Sequence, residues 1–361
     1  MSHEVTHRAN GKAEMAYIGE TPWWKGGNRL APGQPIEVWK EAAGMDWEIL
    51  SSRVQYEFGG ELQNMNDRVV LHRSDNGYPL GCVSNYYQPV NPTVVIEYFR
   101  DLTEAAGYQL ETAGTLMGGK RLWAMASIGK QASVADKADT MKGNLLLSTA
   151  CDGSAATELR YTFVRVVCNN TLGFARSGSK ASLKVDHSTK FDPDATKREL
   201  GIEVARSRFD DAIEDFRRLA EIRMQPADVV KATMELFFPE MLDKPVADQM
   251  KVINRPKGPI GAVGNLALGS AMGSTLSGVK DTAWGWLNAV TEYVDHHTRS
   301  GNQDNRTVSA WFGAGDKIKQ KAYQQAVEMI GADGRTIVTV HKDVEANPEH
   351  SQLLETILAE A

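Results

Sequence analysis

The residues of this chain best equipped for chemistry are its clustered cations. Arg160, Arg165, Arg176, Lys180 and Lys184 fall within one stretch, Arg160 to Lys190, and Lys120, Arg121 and Lys130 lie just upstream. From Lys120 to Lys190, eleven Lys and Arg stand against five Asp and Glu. That local net of +6 sits in a 361-residue chain whose overall charge is −6, so the remainder carries −12. Lys and Arg bind polyanions by releasing counterions condensed on phosphates, and a cationic region in an acidic molecule is the pattern of a polyanion site. A solvated charged face gives the same count.

Other constellations fit less well. The glycine-rich segment 258–278 has neither GxxxxGK[ST] nor a GxGxxG placed after a strand, so the phosphate cradle of a nucleotide enzyme is missing. Asp295, His296 and His297 are metal-ligand types, but adjacent residues on a helix point about 100° apart and no third ligand lies four residues after either histidine. They read as a helix-terminal cap or a polar surface pair. Cys168 beside Asn169 and Asn170 has no assignable histidine partner and reads as a buried structural thiol. A nuclease would need carboxylates around a divalent metal, such as Asp136 and Asp139 near Asp152 or Asp186. No catalytic, metal or cofactor site is expected.

The elements that must position the cations follow from periodicity. Val54–Phe58, Arg68–Arg73 and Leu80–Ser84 alternate like strands, with Asn76-Gly77 in a turn between the last two. Asn91-Pro92-Thr93 opens a helix in which Val95, Tyr98, Phe99 and Leu102 share a face, and Gly107 stops it. The result is a β-β-β-α unit. A hairpin turning at Gly118-Gly119 follows, then strands over Leu145–Ala150 and Tyr161–Val167. On the latter strand, residues 160, 162 and 164 share one face and 161, 163, 165 and 167 the other, so Arg165 faces Tyr161 and Phe163 and is a candidate for a buried pair.

Beyond Phe191 the texture turns helical. Ile202, Ala205, Phe209, Ile213, Phe216 and Leu219 mark an amphipathic helix ending near Met224, and Pro226 starts another. Residues 258–278 read as a loosely ordered connection, and the segments from Thr282, Lys317 and His350 as helices. The expected class is α+β: an irregular arm (1–45) bearing Trp23, Trp24 and Trp39, an antiparallel β-β-β-α core with further hairpins (46–190), and a mainly helical C-terminal region (191–361). An apolar fraction of 42% suffices for a packed core. No secretory signal or run of about 18 apolar residues is present, so the expectation is a cytoplasmic protein with no membrane role. Three cysteines without CxxC spacing argue against a disulfide framework.

The segments AYIGETPWWKGGNRL (from Ala16), RVVCNNTL (Arg165–Leu172) and DTAWGWLNAVTEYVDHH (Asp281–His297) resemble the signatures of the phage/plasmid-like protein family built on domain of unknown function 932. The first motif departs from the commoner PWHGLG by carrying PWWKGG. The resemblance implies remote kinship with single-strand annealing proteins, which share a β-β-β-α unit and act as rings or filaments. On that basis the expected function is single-stranded DNA binding and annealing in recombination, by a homo-oligomer, without bond-making chemistry. Phosphates would be met by Lys120, Arg121, Lys130, Arg160, Arg165, Arg176, Lys180 and Lys184. The alternative is a phage or plasmid interaction module, antagonising host defence or serving in assembly. It has no nucleic-acid role, and its cations are paired with its own acidic helices.

Overall fold

The computed structural model describes residues 6–8, 10–19, 27–166, 170–173, 182–200, 202–255, 258–298 and 303–331. Trp23, Trp24, Cys168, Asn169, Arg176, Lys180 and the segment from His350 lie outside them. The N-terminal residues are more regular than the sequence suggests. They supply β1 (Met15–Ile18), β2 (Asn28–Leu30) and α1 (Ile36–Ala42). Trp39 on α1 is buried in the chain's own core rather than free to dock on a neighbour.

The β-β-β-α unit is present. β3 (Ile49–Phe58), β4 (Glu61–Arg73) and β5 (Pro79–Ser84) form an antiparallel three-stranded sheet, followed by α2 (Pro92–Ala106). β3 and β4 are longer than their alternation predicts, because Gly59 and Gly60, both at positive φ, close a two-residue turn that right-twisted strands accept. α2 starts at Pro92 and stops at left-handed Gly107, as read from sequence.

The second sheet holds β6 (Gln109–Leu116), β7 (Arg121–Ser133), β8 (Thr140–Ala150), β9 (Thr157–Arg165), β10 (Asn170–Gly173) and β11 (Ser182–Val185). Its order is β10-β9-β8-β7-β6-β1-β2, with β11 also on β9. β1 thus ties the N-terminal residues to β6.

Helices α3 (Pro193–Leu200), α4 (Ile202–Glu221), α5 (Pro226–Phe237), α6 (Val246–Ile253), α7 (Pro259–Asn265), α8 (Ala283–Glu292), α9 (Gln303–Phe312) and α10 (Ala314–Glu328) complete the described chain. α4 covers one sheet face: Phe163 lies 5.7 Å from Phe209 and 5.5 Å from Phe216. Each such buried aromatic contributes about 1.5–3 kcal/mol. α9 closes the other face, where Trp311 meets Trp123 edge-on at 5.0 Å.

The glycine-rich segment is ordered, contrary to expectation. Pro259 begins α7, Ile260 and Val263 are buried, and a π turn (Leu266–Ser270) follows. At its end Gly278, at positive φ, allows a close approach: a Cβ there would stand 2.4 Å from Ala135 Cβ. No helix among the described residues is long and apolar enough to cross a membrane.

Candidate nucleic-acid interface

Strand pleating divides the candidate cations between two faces. Cross-strand partners share a face, so the chain of pairs Lys184–Glu158–Ser148–Trp123 and the pair Arg160–Leu146 lie on the α9 side. Arg121, two residues before Trp123, is on that side too. Arg165 falls on the α4 side with Tyr161 and Phe163, as the alternation requires.

Arg165 is 1% exposed and bonded to Asp139 at 2.6 Å, with Met272 O at 3.2 Å and the Trp284 ring 5.7 Å away. Trp284 Nε1 donates to the other Asp139 oxygen at 2.8 Å. This is a core ion pair, and the same bonds remove Asp139 from any metal role. Among the described residues no group of three or more His, Cys, Asp or Glu is placed to hold a metal ion. Lys130 also leaves the expected footprint, reaching Asp210 on α4 at 3.0 Å.

Arg160 is buried against the α9–α10 junction. Its Nη1 lies 2.5 Å from Asp316 Oδ2, it donates to the Trp311 carbonyl, and its Cζ is 5.9 Å from the Phe312 ring. Arg121 approaches the same ring at 5.3 Å, and its hydrogen bond, at 3.4 Å, goes to Ser154 Oγ. Unlike Arg160, Arg121 forms no ion pair among the described residues, although it is 8% exposed. Burial pulls its pKa down, against the fields of Asp152, Cys151 and Glu158.

Lys184 on β11 is exposed, 3.8 Å from Glu158, and Lys120 is half-buried just before β7. The structure therefore gathers Arg121, Arg160 and Lys184 on one face, sends Lys130 and Arg165 to the other side, and leaves Arg176 and Lys180 outside the described residues. Asp316 and Phe312, which organise this end of the sheet, escaped the sequence reading. An acid opening α10 among apolar positions was the available signal.

The C-terminal polar motif also differs from its sequence reading. Asp295 is buried in a π turn and bound to Lys319 at 2.6 Å; both side chains are 1% exposed. His297 is exposed, 3.6 Å from Glu292.

A mixed α+β architecture, with a β-β-β-α unit set beside a larger sheet and a cationic end on that sheet's α9 face, defines the class. The chain belongs to the family described as Domain of unknown function (DUF932), whose profile matches residues 79–311. No curated protein and no solved structure matches it.

Proposed function

We propose that this protein binds single-stranded DNA and anneals it as a homo-oligomer in the cytoplasm of the host cell, without bond-making chemistry. The observation that carries this reading is Arg121, a buried guanidinium with no carboxylate at ion-pair distance among the described residues. Burying a charge without a counter-ion is costly. A phosphate oxygen supplied from outside would relieve that cost with a charge-assisted hydrogen bond.

Lys120 precedes Arg121 in sequence and Lys184 lies on the same face, so both extend the footprint. Arg160, neutralised by Asp316, supports Phe312 and thereby the wall against which Arg121 rests. The proposed footprint is smaller than the eight residues expected from sequence. The test is fluorescence anisotropy with labelled single-stranded and duplex oligonucleotides over a salt series. Preference for the single strand, with Arg121→Gln weakening binding and lowering the salt slope by about one, is the expected result. Folded protein that fails to bind at low salt overturns the proposal.

A second reading, the interaction module, is favoured by the β3–β4 arm. Tyr56 is 55%, Phe58 75% and Leu62 68% exposed around its turn. Large apolar side chains at the tip of a hairpin are the mark of a protein contact. The two readings meet if the arm joins copies of this chain.

A further inference from the structure

The β8–β9 turn that bonds Arg121 through Ser154 has a second concave surface. A cleft of about 450 Å³ lies between Gly153, Ala155 and Ala156 of this turn, Ser84 at the end of β5 with Tyr86 and Tyr87 after it, and Asp186, His187 and Ser188 after β11. Its size is that of a small-ligand site.

The floor is fixed by hydrogen bonds. Tyr87 and His187 stack with ring centroids 4.4 Å apart, and the Tyr87 hydroxyl donates to Ala150 O at 2.7 Å. His187 Nδ1 lies 2.9 Å from Gln88 O and Nε2 3.4 Å from Thr149 Oγ1. A carbonyl only accepts, which places a proton on Nδ1.

The rim is different. Tyr86 is 78% exposed, and the exposed Asp186 carboxylate has no ion-pair partner among the described residues. Among the described residues the lining presents aromatic surface, hydroxyls and a carboxylate, and no lysine or arginine. Such a surface repels a phosphodiester and attracts a cation. A guanidinium satisfies both parts of the rim, stacking its plane on an aromatic ring while its fork meets a carboxylate, whereas an ammonium offers no plane.

We propose that this cleft receives an arginine side chain of a partner polypeptide, stacked on Tyr86 and paired with Asp186. The site is independent of the DNA reading, since neither residue belongs to the Arg121 footprint. The test uses the full-length protein and saturation-transfer NMR with three probes: N-acetyl-arginine methylamide, its neutral citrulline counterpart and deoxycytidine. The arginine probe is expected to bind and the other two to show little transfer. Asp186→Asn should weaken arginine binding about tenfold and Tyr86→Ala severalfold, both with unchanged thermal midpoint and unchanged affinity for single-stranded DNA. Equal binding of citrulline, undiminished binding in Asp186→Asn, or Asp186-dependent binding of deoxycytidine in place of arginine overturns the assignment.

Discussion

Of the buried arginines among the described residues, the three on the larger sheet, Arg121, Arg160 and Arg165, differ in what compensates them, and the difference fixes what each substitution does. Arg160 and Arg165 each face a carboxylate, Asp316 and Asp139, whereas Arg121 has a long bond to Ser154 and the Phe312 ring at 5.3 Å. Arg160→Gln strands Asp316, whose remaining side-chain partner is Gln320 at 2.7 Å, and is expected to cost about 3–5 kcal/mol in urea unfolding. Arg121→Gln removes a desolvated cation and leaves no carboxylate stranded, so stability should hold or rise while DNA affinity falls. If both variants lose stability equally, Arg121 is a structural residue and the DNA footprint loses its centre. Alternation in β9 made the fate of Arg165 legible, because Tyr161 and Phe163 share its face. The partners were not legible: Asp139 lies 26 residues away from Arg165 and Asp316 lies 156 from Arg160, so only folding brings them together.

At the scale of elements, the β3–β4 arm and the α1–α2 pair make separate predictions. Around the arm's turn, the apolar side chains Phe58 and Leu62 remain solvated, so replacing both with Ser should change monomer stability by no more than about 0.5 kcal/mol. Size-exclusion chromatography with light scattering should then show larger species in the wild type and their loss in the double variant. A large drop in thermal midpoint would instead mean that the tip packs on its own body.

The α1–α2 pair is linked by Glu97, which bonds Arg100 at 2.6 Å and also Lys40. Arg100 first, then Lys40, hold the Glu97 carboxyl down to about 2. A carboxyl with a depressed folded-state pKa contributes stability above its ordinary value of about 4.3, and that stability is lost as pH falls through the folded value. The difference in thermal midpoint between wild type and Glu97→Gln should therefore be full at pH 5 and vanish towards pH 2.

Over the whole molecule, one apolar cluster runs from Ala16 to Ile330 and includes residues of β7, β8, β9, α4, α8 and α10. The change of texture near residue 190 is thus no break in the core. α4 lies on Phe163, and α8 sets Trp284 against both Phe216 and Asp139. Cys151 reports on the integrity of that core: it is buried, and burial pushes its thiol up to about 12. Alkylation at pH 8 followed by peptide mass spectrometry should modify exposed Cys82 and leave Cys151 free until the protein unfolds. Modification of Cys151 at the same rate as Cys82 would show that the sheet opens locally.

The sequence by itself determined the elements whose information is local. Alternation and turn residues specify β4, β5 and β9, and Pro92 with Gly107 bounds α2, because a period and a cap are set by neighbours a few residues apart. Even the division of β9 into two faces followed from pleating alone. Tertiary structure decided which cations are spent inside the molecule. Charge counting sees Lys130, Arg160 and Arg165 as a positive field, but Asp210, Asp316 and Asp139 cancel them at 2.5–3.0 Å. It also decided that the glycine-rich segment packs, since burial of its apolar residues Ile260, Val263, Leu266 and Ala267 in the assembled fold offsets the low helix propensity of its glycines. Lys319 illustrates the limit. It sits on α10's apolar face with Ala322, Tyr323 and Ala326, and only the π turn at Asp295 makes that position tolerable for a charge. Pairing across 24 residues or more is a property of the fold, and it separates a polyanion footprint from a set of internal salt bridges.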